Sequence, residues 1–330
     1  MKQLSEVRWG IIGCGEVTEV KSGPGLQKAN NSRLVAVMRR DGELAKDYAQ
    51  RHQVESWYDD ADKLIDDPQV NAIYIATPPA YHHEYTLKAA AAGKVVYVEK
   101  PMALNYGQCQ AMIDACETAH VPLFVAYYRR ALPRFLKVKE LLDSGILGDI
   151  RFVTTTQYRQ ASSEQHYKQV APWRVQPSLA GGGYFFDLAS HTLDILDFLL
   201  GPIKQATGYA SNQAGNYDAE DIVTGTYTFD SGILGTGTWC FSGYKHVDQN
   251  EIVGTNGKVA FSTFGDDPII LETETSKQSF DFKNPLHVQQ PLIQSIVNEL
   301  TGNGKSPSTS ISAARTNWVM DELTKLYYQS

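Results

Sequence analysis

Over its first 127 residues the chain alternates short apolar runs with polar, helix-patterned stretches, and this alternation limits the fold more than any other feature. Residues 7–12, 34–38, 70–76, 95–98 and 121–127 each have the length and β-branched content of a buried strand. Helical patterns lie between them over 44–51, 61–66, 81–92 and 105–119, the third closed by Gly93. Strands separated by helices pair in parallel, so the expected class is α/β, opening with a doubly wound parallel sheet. Sheets of this kind bind ligands at the carboxyl ends of their strands.

The chain places its unusual residues at those ends. The first strand runs into Gly13-Cys14-Gly15-Glu16-Val17-Thr18, close to a G-x-G-x-x-G turn. Two glycines let the backbone turn tightly and approach a pyrophosphate, whose charge the following helix N-terminus meets. Thr18 stands where a third glycine belongs, so wider helix–strand packing is expected. Taken alone, the motif equally describes an ordinary strand-to-helix turn. The second strand ends in Arg39-Arg40. An acid there would accept from the ribose 2′-hydroxyl of NAD, whereas paired guanidinium groups suit a 2′-phosphate. NADP(H) is therefore favoured; Asp41 keeps NAD(H) open, and two solvated arginines are the plain alternative. Thr77-Pro78-Pro79 ends a third strand, and the strand at 95–98 stops at Glu99-Lys100-Pro101. Proline cannot continue a central strand, and the Lys100–Pro101 bond is a candidate cis peptide. By itself Glu99-Lys100 is also an ion pair at a strand end.

From residue 128 the pattern changes. A helix over 133–143 precedes a strand over 150–158, and residues 160–172 form an irregular polar stretch followed by Trp173-Arg174. Gly181-Gly182-Gly183 introduces a helix over 184–200, in which Asp187 and His191 are spaced to share a face, with Asp194 one turn on. The pair is a core pair or half of a metal site. A zinc site needs more ligands than are clustered here, so no metal is expected. Strands follow at 206–213, 222–229, 233–241, 251–264, 268–274 and 278–282, with an Asn256-Gly257 hairpin signal, then helices at 290–301 and 311–329.

As a set, Gly10-Ile11-Ile12-Gly13-Cys14-Gly15, Ala76-Thr77-Pro78-Pro79-Ala80-Tyr81-His82-His83-Glu84, Glu99-Lys100-Pro101, and the three glycines with Asp187 and His191 strongly resemble the glucose-fructose oxidoreductase / inositol dehydrogenase / rhizopine catabolism (Gfo/Idh/MocA) family. The resemblance covers most of the chain; Pro79 for asparagine and Thr18 depart from it. It implies an NAD(P)-binding Rossmann domain over 1–127 and a C-terminal α/β domain over 128–330. The second carries a large open, mostly antiparallel sheet that forms a homodimer or homotetramer interface. It implies that Lys100, Asp187 and His191 are catalytic and within reach of one another. Cofactor contacts fall to Gly13, Cys14, Gly15, Glu16, Val17, Arg39, Arg40, Thr77, Pro78, Pro79, His82, Glu99 and Lys100. Substrate contacts fall to Tyr128, Arg129, Tyr158, Trp173, Arg174, Asp187 and His191. The implied reaction is hydride transfer between nicotinamide and a secondary alcohol or carbonyl of a sugar, polyol or related small molecule. His191 is the favoured proton carrier, since histidine titrates near neutrality. Two rivals within the resemblance are a dinucleotide-binding regulator without turnover and an NAD-dependent glycosidase.

Composition narrows the setting. A net charge of −7 argues against general nucleic-acid binding. Cys14, Cys109, Cys116 and Cys240 are scattered without metal or disulfide spacing, which suits a reducing compartment. The N-terminal residues lack a signal-like apolar core, and no apolar run is long enough for a membrane span, so the cytoplasm is the expected location.

Overall fold

The computed structural model describes residues 3–161 and 171–329. By internal packing the chain divides into Met1–Leu132 with Asn284–Ala314, and Pro133–Lys283 with Arg315–Ser330. A single boundary after residue 127 therefore misses the return of residues 284–314 to the first unit.

In the first unit six strands form a wholly parallel sheet. They are β1 (Val7–Ile12), β2 (Ser32–Met38), β3 (Ser56–Tyr58), β4 (Ala72–Ile75), β5 (Val95–Val98) and β6 (Leu123–Val125). Their order, β3-β2-β1-β4-β5-β6, reverses direction between β1 and β4, the switch point at which such sheets hold ligands. β4 and β5 are buried throughout because both faces are covered. Ala89, Met112 and Ile113 cover one face. Leu292, Ile293, Ile296, Val297 and Leu300 of the helix Gln290–Leu300 cover the other. Their three- and four-residue steps make one apolar stripe. Each such side chain gains roughly 1.5–3 kcal/mol on burial. Loop-closure cost grows only slowly with length, so the stripe readily draws the chain back from so distant a position.

The second unit is built on eight strands: β7 (Ile150–Gln160), β8 (Ile203–Ser211), β9 (Ile222–Phe229), β10 (Leu234–Gly243), β11 (Val247–Gly254), β12 (Gly257–Phe261), β13 (Ile269–Thr273) and β14 (Lys277–Phe280). Their order is β14-β13-β12-β11-β7-β10-β9-β8, antiparallel except for the β7–β10 pair. The Asn256 turn joins β11 to β12 as its sequence predicts. Val153, Trp239, Ile252 and Val259 line the buried face. Helices cover that face: Phe135 of Pro133–Asp143 meets Phe261, Phe185 meets Trp239, and Leu323 of Ser310–Tyr328 meets β8 and β9. The opposite face is a field of threonines with Phe152, Tyr209 and Leu234 exposed. Most of the expected polar stretch at 160–172 lies outside the described residues. Among the described residues no helix is long and apolar enough to cross a membrane.

Candidate active site

At the end of β1, Gly13 takes a left-handed conformation with φ +91°. A Cβ there would lie 2.9 Å from Thr77 Cγ2 and 3.1 Å from Thr77 N, so this turn meets the end of β4 only because residue 13 is glycine. The N–H groups of Gly13 and Cys14 both donate to Met38 O, at 2.9 and 3.1 Å, pinning the turn to the end of β2. Thr18 stands in place of the third glycine. It is fully buried, and its hydroxyl accepts from Gly15 N at 3.0 Å and donates to Gly15 O at 2.7 Å, closing the turn. Val17 is half-buried and Glu16 exposed in the short helix Glu16–Val20. The Cys14 side chain is in the core, where burial pushes its thiol up to about 11, so only its backbone is offered to a ligand.

Arg39 and Arg40 are exposed at the end of β2. The Arg40 guanidinium lies 5.4 Å from the centre of the Tyr81 ring. Asp41, the residue that kept NAD open, accepts from Leu44 N at 3.2 Å and caps the helix Gly42–His52. A cleft of about 350 Å³ beside Arg40 is also lined by Met38, Asp59, Lys63, Tyr85 and Lys88. Thr77 Oγ1 is buried with no hydrogen-bond partner among the described residues. A left-handed glycine turn and a buried hydroxyl with no hydrogen-bond partner among the described residues, both at the switch point, fit a dinucleotide.

β5 delivers the Glu99-Lys100-Pro101 turn, and its Lys100–Pro101 bond is cis. Glu99 is 7% exposed and is held from three sides. Tyr74 Oη donates to Glu99 Oε1 at 2.6 Å, Gln289 Nε2 donates to the same oxygen at 2.7 Å, and Lys100 N donates to Oε2 at 3.1 Å. Tyr97 Oη donates to Gln289 Oε1 at 3.1 Å and fixes that amide in turn. Burial, with the Glu99 charge beside it, holds the Tyr74 phenol well above its ordinary range, so it remains a donor. Lys100 itself is half-buried. His82, expected at the cofactor, is fully buried, with backbone carbonyls on both ring nitrogens. Its Nε2 lies 2.8 Å from Thr77 O and its Nδ1 3.0 Å from Pro101 O, so the ring bridges the ends of β4 and β5. Burial lowers its pKa, opposed by the carbonyls around it. Pro78 is half-buried, and Pro79 is buried in the turn Pro79–Tyr81. After β6, Tyr128 and the buried Arg129 stack at 4.9 Å; both belong to the first unit. A Gln289→Met change keeps the volume but removes a donor from a buried carboxylate. It is expected to cost about 1–3 kcal/mol of stability, read by denaturant unfolding.

In the second unit, Trp173-Arg174 opens the single turn Trp173–Val175. The Arg174 guanidinium lies 4.6 Å from the Trp173 ring, and its Nε lies 3.4 Å from Asp187 Oδ2. The helix expected over 184–200 is two elements: a π turn, Phe185–Ala189, and the α-helix Ser190–Leu200. Asp187 therefore sits on the wider π turn and His191 on the α-helix. The His191 ring is 4% exposed and stands edge-on to Phe264 at 5.7 Å. Asp194 is buried. Strand alternation places Tyr158. Val153, Thr155 and Gln157 are buried toward the helices, so Tyr158 points to the opposite face, where it stacks on Tyr244 at 6.1 Å. Arg159 takes the helix-side position, its guanidinium 4.0 Å from the Tyr184 ring.

Four residues at or beneath these groups escaped the sequence: Tyr74, Gln289, Arg159 and Glu220. Tyr74 reads as one more strand residue and Gln289 as the polar start of an amphipathic helix. Neither carries a signal without its partner. Glu220 did leave one, as half of an acidic pair directly before a buried strand.

The description of an oxidoreductase family with an NAD-binding Rossmann fold, GFO/IDH/MocA, matches residues 7–127, and that of the GFO/IDH/MocA C-terminal domain matches residues 135–260. The chain is 38% identical to oxidoreductase P35 of Formosa agariphila over 319 residues, 96% of this chain and 98% of that protein. It is 26% identical to the scyllo-inositol 2-dehydrogenase (NAD(+)) of Bacillus subtilis, covering 92% and 88% of the two chains. Among solved structures, levoglucosan dehydrogenase in complex with NADH and levoglucosan matches with a TM-score of 0.85 at 22% identity, covering 98% of each chain, a likeness of fold.

Proposed function

The chain belongs to the GFO/IDH/MocA family of oxidoreductases, and on that premise we propose that it moves a hydride between NADP(H) and a secondary alcohol or carbonyl of a sugar or polyol. The observation that carries this reading is the Glu99-Lys100-Pro101 turn. A lysine stands at the carboxyl end of a central strand, on a backbone held by a carboxylate that accepts three hydrogen bonds. The bound nicotinamide supplies or accepts the hydride. The Lys100 ammonium stabilises negative charge developing on the substrate oxygen. His191 takes the hydroxyl proton in oxidation and returns it in reduction, and Asp187, paired with Arg174, holds a neighbouring hydroxyl. Gly13, Gly15 and Thr77 would cradle the dinucleotide. The relatives named for inositol and levoglucosan support a polyhydroxylated ring as the substrate class. The test is a panel of polyols and oxidised sugars with NADP(H) and NAD(H), followed by nicotinamide absorbance. Tight dinucleotide binding with no turnover anywhere in the panel would sink hydride transfer and favour a regulator.

NADP(H) is the favoured cofactor because the acid nearest the ribose position caps its own helix while two guanidinium groups remain exposed. Replacing both Arg39 and Arg40 by alanine is expected to weaken NADPH by at least about tenfold in a fluorescence titration, leaving NADH nearly unchanged. Equal losses for both would return the choice to NAD(H). The threonine face of the eight-stranded sheet, with its exposed Phe152, Tyr209 and Leu234, is the surface favoured for a second copy of the chain.

A further inference from the structure

Of the three glycines at 181–183, Gly183 is closely approached by Glu220. A Cβ on Gly183 would lie 2.6 Å from the backbone oxygen of Glu220 and 3.0 Å from Ala219 Cβ. With no side chain in the way, the Gly183 N–H donates to both carboxyl oxygens of Glu220, at 2.9 and 3.0 Å. Tyr328, at the end of the last helix, donates its hydroxyl to Glu220 Oε2. The other side of the same residue carries the turn, since Gly183 O accepts from Phe186 N at 3.1 Å and from Asp187 N at 3.4 Å. A continuous chain of hydrogen bonds thus runs from Tyr328 through Glu220 and Gly183 to the amide of Asp187, four residues before His191.

We propose that Glu220 is a positioning residue: its carboxyl group, held by Tyr328, grips Gly183 and so fixes the π turn that sets Asp187 and His191. This rests on the catalytic reading of those two residues. Glu220 is fully buried. The titratable groups around it are Tyr328 and Tyr327 from the last helix and Asp221 from its own segment, while the glycine turn contributes only an N–H. None of these is a cation. Burial pushes the carboxyl up to about 7, against the hydrogen bonds from Tyr328 and Gly183. A carboxyl raised in the folded state binds its proton more tightly there than in the unfolded chain. Its contribution to stability is therefore complete below the ordinary glutamate range and is lost as pH rises toward 7.

The experiment compares Glu220→Gln and Glu220→Ala in the full chain. Glutamine can accept from Gly183 N with its carbonyl and donate to Tyr328 with its amide, so it keeps the grip and removes the titration. Expected for Glu220→Gln is near-parental turnover, with a melting temperature that falls less steeply than the parent's between about pH 5 and 7. Expected for Glu220→Ala is a kcat loss of about ten- to a hundredfold, NADPH affinity unchanged, and faster amide exchange across residues 183–191. Unchanged exchange in that segment for Glu220→Ala overturns the proposal, as does unchanged kcat measured well below the melting temperature. If the parent turns over no alcohol, hydride transfer fails, and the exchange comparison still decides whether Glu220 fixes the turn.

Discussion

Lys100→Ala is expected to turn over an alcohol substrate about a hundred to a thousand times more slowly than the parent, with NADPH affinity within a factor of about two. The two effects separate because the side chain and the turn that carries it are held by different groups. The backbone N–H of residue 100, which Glu99 accepts, survives the substitution. Tyr74, Gln289 and His82 support the turn through Glu99 and through the carbonyls of Thr77 and Pro101. What disappears, on the proposed mechanism, is a cation placed where negative charge develops, and such a group acts on kcat more than on cofactor binding. Steady-state kinetics beside a fluorescence titration of NADPH check it. Parental kcat in Lys100→Ala would remove the lysine from the mechanism. A collapse of NADPH binding would recast it as a cofactor ligand.

His191→Ala is expected to lose about a hundred- to ten-thousandfold in kcat, the range of a positioned general acid or base. His191 is almost wholly enclosed and edge-on to Phe264, so removing the ring leaves a space shaped for imidazole. Added imidazole should therefore restore part of the lost rate in His191→Ala and none in Lys100→Ala. Rescue by imidazole points to proton transfer. A low rate with no rescue and no change in the pH profile assigns the histidine to packing.

The parallel sheet was legible because its strands are buried on both faces and so appear as uninterrupted apolar runs. The strand ends were legible for a related reason. Gly13, Thr77 and Pro101 each break a run, and a break at the carboxyl end of a parallel strand is where function collects. The supports beneath those ends were not legible. Gln289 reaches Glu99 across 190 sequence positions, and nothing local to either residue announces the other. For Asp187 and His191, four-residue spacing implied one regular helix, whereas a π turn carries the aspartate. The face that Tyr158 takes was not legible either, since it depends on which side of the sheet the helices cover. Thr18 was judged by the absence of a glycine; its hydroxyl closes the turn by bonds that spacing alone does not reveal.

The return of residues 284–314 has a consequence for anyone recombining this protein with its relatives. The dinucleotide unit is not a prefix of the gene. A fragment ending at residue 132 would lack the apolar stripe of Gln290–Leu300 and the amide that secures Glu99. A chimera that exchanges the second unit whole must carry 133–283 and 315–330 from one parent and both remaining stretches from the other. The second unit is thus an insertion plus a tail, and the tail brings Tyr328 with it. Three crossover points, at 132/133, 283/284 and 314/315, keep Glu99 with Gln289 and Glu220 with Tyr328.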